Sequence, residues 1–509
     1  MTTAEKGVQL TQPVRTSEGA VRGFVEHGVS RFLGIPYAAP PTGELRWRPP
    51  QAPATRQQLL QALAYGPTCA QINTVGVFAA PSDSEDCLYL NVFAPETTQE
   101  QGSRSPSRPV MVWIHGGGNM SGESNDYDGG KLAREGGTVV VTINYRLNIF
   151  GFFAHPALDA EGHPAANYGI MDQQFALQWV KRNIRAFGGD PDNVTIFGES
   201  AGGANVLALM ASPASARLFH RGIIQSGAFI TAMEDVSLAD AEEIGQRFAT
   251  AAGCVDQSSE SLRALPVDEI LAKSGTFLCG PGGIIVDGTI IPQPLATAFA
   301  AGNFQRVPVI NGSTRDEFRF FIPIPDVGGG EVAPGTYEDR VRAMFGPYAD
   351  AVLARYPLED FDSPNEAVAA AVGDQMQVSV ARRLNRTLSK FVPVFAFEFA
   401  DRTAPSYAPL PSFPYGAAHT FELMYLFPLY RGGLGTPHPL NDAQERLSDQ
   451  MVSYWTKFAE RGNPNSPHTP YWPQYNATLD NYQSLNLPDP VTITSFAADH
   501  NCEFWDELH

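Results

Sequence analysis

The apolar residues of this chain fall into short continuous runs, separated by stretches with helical periodicity. Such runs predict β-strands that are buried on both faces, because apolar and polar positions do not alternate within them. The runs cover residues 110–114, 138–143, 193–197, 222–225, 307–310 and 392–397. Buried strands that alternate with helices predict an α/β fold with a mostly parallel central sheet and helices on both faces.

Two further patterns complete this prediction. The segments 14–16, 20–25 and 30–34 alternate and break at glycines, which is typical of short antiparallel strands. Residues 172–187 place apolar side chains on one face and predict a helix.

A Gly-Glu-Ser-Ala-Gly pentapeptide stands where one buried run meets a predicted helix. It covers residues 198–202, between the run 193–197 and the apolar stretch 203–210. A Gly-x-Ser-x-Gly pattern between strand and helix is typical of a nucleophile elbow, a strained turn that exposes the serine at the carboxyl edge of a sheet. The pattern therefore indicates Ser200 as a nucleophile, with the Ala201 N–H facing the attacked carbonyl.

A His-Gly-Gly-Gly loop follows the run 110–114, at residues 115–118. Loops of this kind supply backbone amides to the oxyanion hole of lipases and esterases. Glycines are needed because the N–H groups must come within about 3 Å of the developing oxyanion. We expect Gly117 and Gly118 to be donors, together with Ala201.

A serine nucleophile needs a histidine base and an orienting carboxylate, here in the chain order Ser, acid, His. The acid should follow the run 307–310, where Asp316 and Glu317 are adjacent and the residues alone do not choose between them. The histidines in suitable chain order are His419, His438, His468, His500 and His509. His419 is favoured because it follows the run 392–397 by one loop.

Composition narrows the classes of function. The chain has 509 residues, 43% of them hydrophobic, and a formal net charge of −19 at pH 7. The apolar share predicts a large core, and the negative charge disfavours binding to nucleic acid. No run of about 18 apolar residues is present, so we expect no membrane span. Residues 1–6 lack a signal-peptide pattern, so we expect a cytoplasmic protein, or a secreted one whose signal has been removed.

Five cysteines are present, none of them in a Cys-x-x-Cys pair or beside a histidine cluster. This distribution disfavours a metal site, and we expect neither a metal nor an organic cofactor. The spacing allows two short disulfide loops, Cys69–Cys87 and Cys254–Cys279, but free thiols are an equal alternative.

Beyond these motifs, nearly the whole chain resembles the type-B carboxylesterases, which include cholinesterases and bacterial para-nitrobenzyl esterases. The resemblance is carried by residues 32–38, 45–47, 84–92, 144–146, 187–191 and 225–227. It implies an α/β-hydrolase fold. We expect a single catalytic domain over residues 1–509, with lid-like insertions at about 55–85 and 315–390.

The resemblance also implies roles for individual residues. The second carboxylate of the family's Asp-Glu pair corresponds to Glu317, and the family's base corresponds to His419. Glu199 and Ser226 match residues that tune the triad from behind it. Cys69–Cys87 matches the family's first disulfide and Cys254–Cys279 loosely matches its second. Two ion pairs are implied as well, Arg46–Glu85 and Arg146–Asp172.

The predicted function is hydrolysis of carboxylic esters through an acyl-enzyme, with small-molecule esters of small to medium size as substrates. The segment 69–87 contains no tryptophan, which disfavours choline esters. Asn119 and Thr420 replace residues that are frequent in the family. The loop 278–283 carries no aromatic residue, which favours a bulky or aromatic acyl group. The alternatives are a carbamate or amide hydrolase, an interfacial lipase and a non-catalytic interaction module. The oligomeric state is left open.

Overall fold

The computed structural model describes residues 9–73, 77–96, 107–277 and 283–508. Its centre is a twelve-stranded sheet. The strands are β1 (Gln9–Leu10), β2 (Val14–Thr16), β3 (Gly19–Arg22), β4 (Phe24–Glu26), β5 (Val29–Pro36), β6 (Leu60–Gln61), β7 (Tyr89–Pro95), β8 (Arg108–Ile114), β9 (Val139–Ile143), β10 (Phe152–Phe153), β11 (Ala166–Asn167), β12 (Gly189–Glu199), β13 (Arg221–Gln225), β14 (Val236–Ser237), β15 (Ile285–Val286), β16 (Val309–Thr314), β17 (Val394–Phe399), β18 (Tyr482–Leu485) and β19 (Val491–Ile493).

The strand order in this sheet is β1-β4-β5-β7-β9-β8-β12-β13-β16-β17-β18-β19. All pairs from β9 to β18 are parallel, and the flanking pairs are antiparallel. All six predicted buried runs fall in the parallel block, which confirms a mostly parallel sheet. The register aligns Phe197 of β12 with Trp113 of β8 and with Ile223 of β13.

Helices cover both faces of the sheet. They are α1 (Gly130–Gly136), α2 (Asn148–Gly151), α3 (Pro156–Asp159), α4 (Tyr168–Asn183), α5 (Ala201–Ala211), α6 (Leu238–Ala251), α7 (Ser259–Arg263), α8 (Val267–Phe277), α9 (Leu295–Ala301), α10 (Pro325–Gly328), α11 (Tyr337–Phe345), α12 (Ala349–Arg355), α13 (Pro364–Gly373), α14 (Ser379–Leu388), α15 (Leu423–Leu426), α16 (Asp442–Arg461), α17 (Phe496–Asp499) and α18 (Cys502–Leu508). None of the helices in the described ranges is long and apolar enough to span a bilayer.

The two faces carry separate cores. Val110, Val112 and Ile114 of β8 belong to one apolar cluster, whereas Met111 and Trp113 belong to another. Since side chains alternate across a strand, these clusters lie on opposite faces of the sheet. Helices α4 and α5 pack into the first cluster, and α1 and α16 pack into the second.

Some predicted boundaries are wrong. The helix predicted over 172–187 is α4, which begins at Tyr168, followed by a 3₁₀ turn over Ile184–Phe187. The strand predicted over 307–310 is β16, which begins two residues later and continues to Thr314. Its last four residues are small or polar, but they are buried and pair with β17.

The predicted insertions carry structure of their own. The connection from β16 to the adjacent parallel strand β17 holds α10 to α14 and a third apolar cluster. Its last helix, α14, packs against both strands in the manner of a crossover helix. The described part of the segment 55–85 contains β6. That these segments act as lids stays a prediction.

Candidate functional site

Ser200 occupies the turn between β12 and α5. Its φ of 55° and ψ of −125° are unusual for a residue with a side chain, and a conformation of this kind stores about 1–3 kcal/mol of strain. The strain is held by the backbone, because the Ser200 amide donates to the Gln225 carbonyl over 2.8 Å. The side chain is half-buried at the carboxyl edge of the sheet.

The structure separates the two adjacent carboxylates. Asp316 accepts hydrogen bonds from Nε and Nη2 of Arg402, both at 2.8 Å, and from the Ala417 amide at 3.0 Å. Glu317 points the other way, and its Oε2 lies 2.6 Å from Nδ1 of His419. Of the two residues that the sequence left open, Glu317 therefore contacts the imidazole.

His419 lies between the carboxyl groups of Glu317 and Glu199. Its amide donates to the Glu317 carbonyl over 3.4 Å, so main chain and side chain both contact that residue. On the other side of the ring, Nε2 lies 3.1 Å from Oε1 of Glu199. Within the described residues, no hydrogen bond joins Nε2 to Ser200 Oγ. The imidazole therefore faces Glu199 in this structure.

The charges of this cluster oppose one another. Burial raises the pKa of Glu199 well above its ordinary value. The charge on His419 lowers that pKa, and the nearby Glu422 and Glu317 raise it further. Burial also raises the pKa of Glu422 to about 7. For His419, burial alone would lower the pKa, but the carboxylates of Glu199 and Glu317 outweigh it and raise the value to about 9. Three buried carboxyl groups, those of Glu199, Glu317 and Glu422, thus affect the pKa of one imidazole.

Ser226 follows β13 and supports the acid. Its Oγ donates to Oε1 of Glu317 over 2.6 Å, and the Thr314 amide donates to the same oxygen over 2.8 Å. The Ser226 amide donates to the Gly312 carbonyl of β16 over 2.9 Å. The carboxylate is therefore fixed from two adjacent strands.

The Gly-rich loop lies against the Ser200 turn. A Cβ placed on Gly116 would lie 3.1 Å from Ser200 Cβ and 2.7 Å from the Glu199 carbonyl oxygen, so a side chain would push the two segments apart. Gly117 and Gly118 follow with positive φ. His115 is fully buried, and burial lowers its pKa to about 4, so it is neutral near pH 7. We therefore assign no charge to this loop.

Asn119 and Thr420, which depart from the family pattern, are both buried near the site. Asn119 is fully buried and pairs with Asn205 of α5 rather than facing the outside. Thr420 has a φ of 73°, its hydroxyl bonds to the His419 carbonyl, and Tyr407 Oη lies 2.5 Å from that hydroxyl. The acyl-side loop falls largely outside the described residues, which resume at Gly283.

Several implied pairings can be compared with the structure. Cys69 and Cys87 form a disulfide, and both implied ion pairs, Arg46–Glu85 and Arg146–Asp172, are present. Cys254 is a buried free thiol, and its expected partner, Cys279, lies outside the described residues. No group of histidine, cysteine and acidic side chains in the described ranges could hold a metal ion.

Three polar residues near the site received no role from the sequence. Glu422 is fully buried, and its Oε1 accepts a hydrogen bond from Gln225 Nε2 over 2.9 Å. Gln225 in turn accepts from Trp455 Nε1 over 3.0 Å. Asn205 lies within the otherwise apolar helix α5. A single polar residue inside an apolar run was the available signal for Glu422 and Asn205.

Comparison with known proteins shows the family to which the chain belongs. A model of the carboxylesterase family matches residues 11–505. The chain is 35% identical to the para-nitrobenzyl esterase of Bacillus subtilis (strain 168), over 95% of this chain and 96% of that protein. It is 34% identical to the cocaine esterase of Homo sapiens, over 98% of this chain and 92% of that protein.

Solved structures of esterases have the same fold as this chain. The structure titled "Thermophylic PNB esterase" superposes with a TM-score of 0.79 at 32% identity, covering 98% of this chain and 100% of that one. A structure titled "PNB esterase" gives 0.78 at 32% identity, with the same coverage. The chain therefore belongs to the carboxylesterase family, has the α/β-hydrolase fold and is a carboxylic ester hydrolase.

Proposed function

We propose that the chain hydrolyses carboxylic esters through an acyl-enzyme on Ser200, with His419 as general base and Glu317 as its orienting carboxylate. The observation that carries the proposal is the 2.6 Å contact between Glu317 Oε2 and His419 Nδ1, beside the strained turn of Ser200. Nucleophile, base and acid then follow the triad arrangement of the fold.

Catalysis proceeds in two acyl transfers. His419 takes the proton of Ser200 as Oγ attacks the ester carbonyl, and the amides of Gly117, Gly118 and Ala201 donate to the oxyanion. His419 then protonates the leaving alcohol, and water repeats the sequence on the acyl-enzyme.

In the reaction, His419 Nε2 accepts the proton of Ser200 Oγ while Glu199 stays beside the ring, where Oε1 lies 3.1 Å from Nε2. Catalytic hydrogen bonds of this kind often tighten only when substrate binds. Glu199 stabilises the imidazolium that forms, and Ser226 holds Glu317 in place. These two residues tune the base rather than react.

The proposed substrates are neutral esters of small to medium size, with bulky or aromatic acyl groups accepted. The absence of an aromatic residue from the acyl-side loop 278–283 supports this choice. A panel of esters that varies acyl and alcohol size separately tests it, and poor turnover of bulky-acyl esters relative to acetates would reject it. Matched carbamates and amides in the same panel test the alternative bond types.

Substitution of Ser200 tests the proposal directly. We expect Ser200→Ala to lower kcat/KM by at least about 10⁴-fold and to abolish labelling by a fluorophosphonate. Thermal unfolding of the variant checks that the fold is kept. Substantial turnover by folded Ser200→Ala would refute the assignment of the nucleophile.

We propose that the protein has no nucleic-acid partner and is cytoplasmic. The net charge of −19 supports a protein without a nucleic-acid partner. The cytoplasmic location stays a prediction, which cell fractionation can test, and a protein found in an oxidising compartment would suit the Cys69–Cys87 disulfide better.

A further inference from the structure

We propose that the buried side-chain pair Asn119–Asn205 positions the two parts of the oxyanion hole relative to each other. This inference rests on the proposed function, because it assumes that Gly117, Gly118 and Ala201 are the oxyanion donors. Asn119 and Asn205 touch no reacting atom and act through those amides, so they are positioning residues.

The pair joins the two segments that carry the donors. Asn119 directly follows Gly118, at the end of the Gly-rich loop, and Asn205 lies one helical turn beyond Ala201 in α5. Asn119 Nδ2 donates to Asn205 Oδ1 over 3.1 Å, and Asn205 Nδ2 donates to Asn119 Oδ1 over 2.8 Å. The two bonds fix both distance and orientation between loop and helix.

The loop side of the pair is itself anchored. The backbone amide of Asn148 donates to the backbone carbonyl of Asn119 over 2.6 Å, and Tyr145 Oη donates to Asn119 Oδ1 over 3.1 Å. Asn119 has a φ of 57°, a left-handed conformation that asparagine tolerates better than most residues. Asn119 therefore transmits the position of the Asn148 and Tyr145 segment to the loop.

Because both asparagines are buried, each depends on the other for its hydrogen bonds. Both side chains are fully buried, and Asn205 is surrounded along α5 by alanine, valine and leucine. An amide without a partner in such a place is strongly unfavourable, so each asparagine favours the loop position in which its amide is paired. Oxyanion stabilisation depends on donor positions to a fraction of an ångström, so this choice of position affects the chemical step.

Three variants test the inference: Asn119→Leu, Asn205→Leu and the double variant. Leucine has the branched shape of asparagine but is larger. The double variant removes both amides of the pair, so neither is left facing an apolar replacement, and we expect it to keep the fold better than either single change. Turnover of 4-nitrophenyl acetate gives kcat and KM. Binding of a trifluoromethyl ketone, which forms a tetrahedral adduct with an active-site serine, reports the oxyanion hole.

We expect each single change to lower kcat by about 10- to 100-fold with KM nearly unchanged. Ketone affinity should fall by the same factor as kcat/KM, because both depend on the oxyanion donors. The double variant should lose no more kcat or ketone affinity than the less active of the two single variants, because either change alone already breaks the pair. A purely structural role would lower the melting temperature without this matched loss.

Asn385→Leu is a matched control. Asn385 is also fully buried and accepts a hydrogen bond from Asn311 Nδ2 over 2.9 Å, but it lies on α14, away from the loop. We expect it to lower stability and leave kcat and ketone affinity unchanged. Parent-like kcat in the folded double variant, or losses that multiply, would overturn the inference. Turnover retained by Ser200→Ala would instead contradict the proposed function, so the two failures are distinguishable.

Discussion

Replacing Glu199 by glutamine should shift the pH dependence of activity to lower pH. His419 acts as a base only when neutral, so activity rises as pH passes through its pKa. Carboxylates beside the buried ring hold that pKa at about 9. Glu199→Gln removes the carboxylate in contact with Nε2 and keeps the size of the side chain, so the neutral imidazole should form at lower pH.

The 3.1 Å separation between Glu199 Oε1 and His419 Nε2 sets the magnitude. Two unit charges at this distance interact by about 5 kcal/mol at an effective dielectric constant of about 20, and by about 1 kcal/mol in bulk water. These limits correspond to pKa changes of about 4 and about 1. Because burial raises the pKa of Glu199 itself, the residue carries less than a full charge. We therefore expect a shift of about 1–2 pH units.

The assay is kcat/KM for 4-nitrophenyl acetate against pH, with product read at its isosbestic wavelength. The acid limb of this profile reports ionisation in the free enzyme. Glu422→Gln is the matched control, because Glu422 affects His419 less than Glu199 does. Its shift should be the smaller of the two. An acid limb that stays at the parent pH in Glu199→Gln, or moves upward, would refute the reasoning.

Three further predictions concern the site and its surroundings. Glu317→Gln should lower kcat by about 10³- to 10⁴-fold, because it removes the carboxylate that orients the base. Asp316→Asn should keep kcat and lower the free energy of unfolding by about 2 kcal/mol. Steady-state kinetics and denaturant titration of both variants separate the two roles. Gly117→Ala should abolish measurable turnover, because the added Cβ would lie 2.1 Å from a backbone carbonyl oxygen and φ is 103°; parent-like kcat would contradict this. Replacing Cys69 and Cys87 by alanine should lower the unfolding free energy by about 3 kcal/mol and leave KM unchanged, as urea unfolding and steady-state kinetics can check.

The central sheet could be predicted because its strands are buried on both faces. Strands such as β8 and β9 appear in the sequence as unbroken apolar runs, which few other elements produce. Strand β16 was placed less well, since Asn311 and Thr314 resemble loop residues. Asn311 Nδ2 donates to the Ala381 carbonyl and to Asn385 Oδ1, and a single sequence does not show such tertiary partners.

The site was predictable to a different degree for each part. Ser200 and the Gly-rich loop lie on local motifs that directly follow strands, so the sequence positions them. The choice of Glu317 over Asp316 depends on which way each side chain leaves a turn, and the residues alone left it open. His419 depends on a long-range contact, and only the family resemblance selected it firmly.

The resemblance implied that Glu199 tunes the triad, but the sequence did not show that Glu199 lies against Nε2 of His419. This contact arises from two segments far apart in the chain that meet at the carboxyl edge of the sheet, and its strength depends on burial there. The same holds for Asn119, which the sequence marked only as a departure from a pattern. Its partner, Asn205, becomes apparent only once α5 and the loop are packed together.

The contact between acid and base depends little on the length of the connection between β16 and β17. Glu317 and His419 are 102 residues apart, yet they meet because adjacent strands return the chain to one edge. Each doubling of a flexible connection disfavours closure by only about 0.6 kcal/mol. Helices α10 to α12 of this connection can therefore be exchanged or lengthened in chimeras while the distance from acid to base is kept. Helices α13 and α14 must stay, because α13 packs against the turn of Glu317 and α14 packs against both strands.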